Sequence, residues 1–185
     1  MKKITYFILP LLFLSQAFAS DNPMFGQTQE NSFSLYVGQG TGTGSLLKLI
    51  YPGDWNISPM TMIMVQYAQP MTILRFPARG SVNIIQNTAY HSGHGLSFFG
   101  GGISWDIALL NYKGWYTGVG IGPYYRNNWD RWVSSRLVFG EKFFIGKKLN
   151  QNWRAEFFTL HFSNGDVTPV NTGFNFSGIS INYSF

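Results

Sequence analysis

The run Ile103-Ser104-Trp105-Asp106-Ile107-Ala108-Leu109, followed after a short polar break by Trp115-Tyr116-Thr117-Gly118-Val119-Gly120-Ile121-Gly122, decides the fold class. In the first stretch every odd position is large and apolar while the even ones are Ser104, Asp106 and Ala108. The second keeps that order, with Trp115, Val119 and Ile121 at odd positions and glycine at three of the even ones. A period of two belongs to a strand with unlike faces, because successive side chains point to opposite sides of the sheet.

Moving outward from these two runs, similar low-charge alternating segments separated by Gly, Pro and Asn clusters are predicted over 32–40, 60–68, 80–90, 96–109, 115–124, 132–144, 152–163 and 174–185. Eight is the smallest common even number of strands for an antiparallel transmembrane barrel, so the predicted class is an all-β, eight-stranded barrel of the bacterial outer membrane. Alternation alone also fits a soluble barrel with its apolar face inside. Side-chain size decides between them: an eight-stranded bore is narrow, and Gly, Ser and Asp fit it where Trp, Phe and Ile on every strand would overfill it. The greasy face therefore points into lipid. Trp115, Tyr124, Trp132, Trp153 and Tyr183, near predicted strand ends, are expected to form the interfacial girdles. Phe185, Tyr183, Ile181 and Ile179 share one face of the last strand. An aromatic terminus on such a strand resembles the C-terminal assembly signal of outer-membrane barrels.

Composition agrees. Aromatic residues make up 18% of the chain and charged ones 11%, against about a quarter charged in ordinary soluble domains. Met1-Lys2-Lys3, the apolar run from Ile4 to Leu14 and Ala17-Phe18-Ala19 have the order of a secretory signal peptide. The expected organisation is thus a leader over 1–19 and one barrel domain over 20–185, located in the outer membrane. The leader's apolar run is too short for a spanning helix. Removing Lys2 and Lys3 leaves 11 basic against 8 acidic residues, about +3. That modest excess, with no basic run beyond Lys147-Lys148, excludes nucleic acid as the expected partner, although Arg126 and Arg131 suit anionic head groups. The absence of cysteine removes disulfide and thiolate chemistry.

The most informative run for chemistry is His161-Phe162-Ser163-Asn164-Gly165, followed by Pro169, Asn171, Gly173 and Asn175. A His and a Ser two apart on a strand share a face and lie within reach of a rotamer adjustment, which suits a general base and its nucleophile. A polar strand end meeting a loop would have the same spacing. Parity separates the readings: Trp153, Phe157, His161 and Ser163 are all odd and therefore outward, where polar groups are costly unless they meet something polar. With both termini in the periplasm, the seventh strand ends at the extracellular rim, which places the pair beside the lipopolysaccharide of the outer leaflet. Counting odd positions back from Phe185 puts Asn175 on the same outer face, opposite His161 on the neighbouring strand.

These residues resemble the lipid A 3-O-deacylases of outer membranes. The likeness is sharpest over 158–185, in His161-Phe162-Ser163-Asn164, the later Pro169, Asn171 and Gly173, and the terminal strand; it is weaker at Tyr67-Ala68-Gln69-Pro70. The resemblance implies a cofactor-free, metal-free serine esterase with lipid A as substrate and a Ser-His-Glu site on the barrel's outer surface. Carried over, Ser163 is the nucleophile on the 3-O-acyl ester and His161 the base. Asn164 helps to hold the oxyanion together with a neighbouring backbone N–H such as that of Gly165, and Asn171 steadies the loop. The products would be a free 3-hydroxy fatty acid and a deacylated lipid A. Two departures stand out. Where the family has Glu this chain has Asn175, which can orient a histidine without adding charge, and Asp166 is the nearest alternative acid. Gly165-Asp166 replaces the family's Ala-Gly, leaving the oxyanion donor open.

Other features carry less. His91 and His94 lack a third ligand nearby and read as a surface loop. Gly38-Gln39-Gly40-Thr41-Gly42-Thr43-Gly44 has no βαβ context for a dinucleotide site and reads as a flexible first extracellular loop. Glu141 falls on the outward parity near the predicted periplasmic end of strand six and receives no role. Met60, Met62 and Met64 read as lipid-facing or packing residues rather than a copper site. The rival reading is a non-enzymatic small barrel, an adhesin or structural protein, in which His161 and Ser163 are dispensable; a lipid A acyltransferase would need an acyl-donor path of which the sequence has no sign. Oligomeric state stays open, a homodimer included.

Overall fold

The computed structural model describes residues 30–44, 56–74, 76–90 and 97–185. The expected leader over 1–19 and the segment holding His91 and His94 lie outside the described residues. Eight strands follow in order: β1 (Ser32–Thr43), β2 (Ser58–Ile73), β3 (Phe76–Ala89), β4 (Phe98–Tyr112), β5 (Trp115–Arg126), β6 (Leu137–Lys148), β7 (Trp153–Ser163) and β8 (Phe174–Ser184). Each pairs antiparallel with the next, and β1 pairs with β8 from Ser32↔Ser184 to Thr43↔Phe174, so the sheet closes into a barrel. Closure leaves no strand edge unpaired, the condition for a sheet to cross a membrane. The connections β2–β3, β4–β5 and β6–β7 are short and lie at the end where β1 starts and β8 finishes. The β5–β6 and β7–β8 loops are longer and crown the other end.

The outward face is greasy on every strand: Phe33, Leu35, Ile63, Val65, Val82, Ile84, Ile103, Trp105, Val119, Ile121, Phe143, Ile145 and Ile179 are all exposed. Trp153 and Tyr183 pair across β7 and β8 with ring centroids 4.9 Å apart, and Phe33 stacks near Phe185 at 5.6 Å. With outward Trp115 they belong to an aromatic belt at the terminal end.

The bore corrects the expectation of small residues alone. Tyr124, assigned above to the girdle, points inward and meets Phe162 edge-on at 5.2 Å. Met60, Met62 and Met64, expected to be lipid-facing or packing residues, are packing residues buried inside the bore. Phe144, Phe158, Phe162, Phe174 and Phe176 join them. The bore holds these rings because glycines face them: a Cβ on Gly118 would overlap Phe144, and one on Gly146 would overlap Tyr116. Inward glycine and inward aromatic are therefore one device, the first making room for the second. Toward the terminal end the bore turns polar. Arg79 donates to Asp106 at 2.7 Å and to both oxygens of Glu156 at 2.9 and 3.0 Å, Lys142 reaches Asp106 at 2.7 Å, and Tyr116 donates to Glu156 at 2.9 Å. Buried charges hold when paired in this way.

Two segment expectations are also corrected. β1 continues to Thr43 through residues expected to form a loop. Its glycines stay in the sheet by way of a bulge between Gly40 and Gly42, the latter at φ 112°. β6 is Leu137–Lys148 rather than 132–144. The apolar pair Trp132-Val133 resembles a strand start, but Asp130 Oδ1 accepts both backbone N–H groups, at 2.8 and 2.9 Å, and turns the segment over the barrel mouth. Trp132 accordingly packs against the core from a loop instead of joining a girdle. The shift moves Glu141 away from the terminal end and toward the long loops.

Candidate active site on the outer wall

His161 lies near the loop end of β7, in register with Asn175 of β8 on one side and Glu141 of β6 on the other. All three have outward parity. Cross-strand pairs of this kind set Cβ atoms about 5 Å apart, and His161 Nδ1 meets Asn175 Oδ1 at 2.6 Å. An amide oxygen only accepts, so Nδ1 carries the proton in this contact and Nε2 is left as the basic nitrogen. Gly173 closes on the ring from the β7–β8 loop: a Cβ there would overlap Cε1 and stand 3.0 Å from Nε2, and its φ of 72° is one that glycine adopts freely.

Ser163 ends β7 on the same face, two residues beyond His161, and its cross-strand partner on β6 is Phe139. Its hydroxyl makes no hydrogen bond among the described residues. His161, Ser163, Asn175 and neighbouring Thr159 and Ser177 are buried, unlike Ile179 of the same parity, which is 63% exposed. A polar, shielded strip thus interrupts the lipid-facing wall. Thr41 extends it to β1, its hydroxyl 3.2 Å from that of Ser177.

The loop residues form one knot. Asn164 N–H donates to Asn171 Oδ1 at 2.8 Å, and Asn171 Nδ2 donates to Asp166 Oδ1 at 2.8 Å. Asn164 Oδ1 accepts from Asp166 N–H at 2.9 Å, and Asn164 Nδ2 donates to Val170 O at 3.0 Å and to the Thr168 hydroxyl. Asp166 is therefore engaged by Asn171, away from His161. The amide protons of Asn164 are occupied within the loop, while the Gly165 N–H, in a residue at φ 63°, makes no hydrogen bond among the described residues. The β5–β6 loop clamps this knot: Val133 bridges to Asn171, Thr172 N–H donates to Trp132 O at 2.7 Å, and Ser134 N–H donates to Val170 O at 3.0 Å.

Sequence reasoning missed three parts of this arrangement: the contact of Gly173 with the ring, the loop clamp, and the place of Glu141. Alternation in Phe139-Gly140-Glu141-Lys142-Phe143 was legible, and only the misplaced end of β6 hid that this acid sits level with His161.

Fold and site together define a class: a small bacterial outer-membrane β-barrel with a buried polar cluster on its outer wall. The family model for lipid A 3-O-deacylase (PagL) matches residues 48–184, and the chain belongs to that family of outer-membrane enzymes. Two solved structures share the barrel. Neisserial surface protein A (NspA) has a TM-score of 0.55 and 10% identity, over 85% of this chain and 98% of that one. The outer membrane enzyme PagL has a TM-score of 0.51 and 13% identity, over 82% and 98%. At these identities both likenesses concern fold alone. No curated protein matches the chain in sequence.

Proposed function

We propose that this lipid A 3-O-deacylase works as a serine esterase in the outer leaflet, with Ser163 as nucleophile and His161 as base. The observation that carries the reading is the 2.6 Å contact of His161 Nδ1 with Asn175 on the outer wall, two residues from a buried serine. It leaves Nε2 free to take the Ser163 proton as Oγ attacks the carbonyl carbon of the 3-O-acyl ester. The tetrahedral oxyanion accepts from the free N–H of Gly165, with Asn164 and Asn171 holding that peptide in place through the loop knot. On collapse the C–O bond to the sugar breaks, and the imidazolium returns its proton to the departing 3-oxygen. Water, deprotonated by His161, then cleaves the acyl-enzyme. The products are a 3-hydroxy fatty acid and a 3-O-deacylated lipid A.

The position of His161 near the long-loop end, which in bacterial barrels is the extracellular side, supports a site facing the outer leaflet and its lipopolysaccharide. All the groups come from one chain, so the reading needs no second copy. Lipid A from cells expressing the native chain or Ser163→Ala tests it by mass spectrometry. The variant is expected to form a heat-modifiable barrel and release no 3-linked acyl chain; deacylation at the native rate would remove Ser163 from the nucleophile's role.

A further inference from the structure

We infer that Glu141, on β6, is a positioning residue that supplies the negative charge missing from Asn175 and acts on the reaction through His161. The inference rests on the serine esterase reading above. Three acids lie within the eight strands, and Asp106 and Glu156 face the bore, where Arg79 and Lys142 pair with them. Glu141 alone points outward. It is half-buried and makes no hydrogen bond or ion pair among the described residues. An ionisable group on a lipid-facing wall costs free energy unless something polar answers it.

Its neighbours identify what does. Across β5 its register partner is Ile121, and along its own face lie Phe139 and Phe143. Across β7 the partner is His161. Of these four only the imidazole is polar. Asn175 occupies the opposite flank of the ring and binds Nδ1, while Gly173 backs the edge that includes Nε2. The Glu141 flank is therefore the one from which a carboxylate can approach without displacing either. Cβ atoms of such a pair stand about 5 Å apart, near enough for a through-space effect on a ring that becomes cationic as Ser163 loses its proton. In this chain hydrogen-bond geometry and charge, which one carboxylate can supply together, are divided between an amide on β8 and an acid on β6.

The test uses four variants of the purified full-length barrel on lipid A, each checked for heat-modifiable folding: Glu141→Gln, Glu141→Asp, Glu141→Gln with Asn175→Glu, and Ser163→Ala. A charge about 6 Å from a partly shielded imidazolium is worth roughly tenfold in rate. Glu141→Gln is expected to lower kcat by about that factor with KM unchanged, Glu141→Asp to keep most activity, and the added Asn175→Glu to restore what Glu141→Gln lost. Native kcat in Glu141→Gln beside a dead Ser163→Ala would overturn the inference and leave the esterase reading intact. So would a loss that appears in KM alone, which assigns Glu141 to substrate binding, or a loss that Asn175→Glu does not repair. A fully active Ser163→Ala would overturn the esterase reading and this inference with it.

Discussion

Gly173→Ala separates the geometry of the imidazole from every other property of the barrel. The added methyl would overlap His161 Cε1, stand 3.0 Å from Nε2 and lie 3.1 Å from the Phe162 carbonyl oxygen. Restoring ordinary contact near 3.5 to 4 Å requires the ring to retreat by roughly 1 Å. A displacement of that size at a reacting centre costs about 100-fold, or about 2.7 kcal/mol of barrier. The backbone adds about 1 kcal/mol, since φ is 72° and alanine resists the left-handed region. That strain alone does not unfold a closed barrel. Gly114→Ala supplies the control, because Gly114 has φ 80° in the β4–β5 turn and nothing lies closer to its missing Cβ than 3.9 Å. It carries the same backbone cost without touching His161. Initial rates of acyl release from purified lipid A, measured on both variants after their heat-modifiability is matched to the native chain, should show Gly173→Ala about 100-fold slow and Gly114→Ala unchanged. A folded Gly173→Ala barrel with the native rate would refute the proposed role of this loop's packing against the His161 ring.

Asn175→Ala removes the 2.6 Å partner of His161 Nδ1 and is expected to slow acyl release by about 10- to 100-fold, the worth of one well-placed hydrogen bond in a shielded site. Asp166→Ala removes an exposed carboxylate bonded to Asn171 and should cost less, while Asn175→Glu keeps or raises the rate; a dead Asp166→Ala beside an active Asn175→Ala would reverse the assignment. Glu156→Gln weakens the pair with Arg79 inside the bore and should destabilise the barrel by about 3 kcal/mol, read from urea unfolding in detergent. Its acyl release, assayed where the barrel is still folded, should equal that of the native chain, and a selective loss of rate would show that bore and outer wall are coupled.

Strand number, closure and the outward parity of His161, Ser163 and Asn175 were legible because lipid imposes a simple rule of apolar outside and small or polar inside. The rule lost force where side chains answer to each other instead of to lipid. Tyr124 was misassigned because an aromatic facing glycine fits a narrow bore, a pairing that appears only when strands are set in register. The end of β6 was misplaced because Trp132-Val133 looks like a strand start, and the capping of both N–H groups by Asp130 is a three-dimensional fact. β1 ran on through its glycines because a bulge can keep such residues in a sheet. The identity of His161's partners followed from the same limit: Asn175 was found by counting from a well-defined terminus, whereas Glu141 depended on a register that could not be counted.

The two faces of β7 explain how one strand can hold both a stabilising network and the proposed reactive groups. Glu156 points inward to Arg79 and Tyr116, while His161 and Ser163, one pleat direction away, point outward. The inward side is anchored by paired charges inside the closed barrel. In the proposed mechanism the outward side draws on that anchoring, since a base and nucleophile must hold their geometry against a fluid surface that supplies no support of its own. Neighbouring strands repeat the arrangement: β6 carries Lys142 inward beside Glu141 outward, and β8 carries Phe174 and Phe176 inward around outward Asn175. Each outward polar residue is thus set by an inward anchor next to it in sequence. Because cross-strand neighbours on a barrel wall are equivalent flanks of the same side chain, a carboxylate beside His161 has two addresses, β6 and β8, and this chain carries its acid, Glu141, at the first.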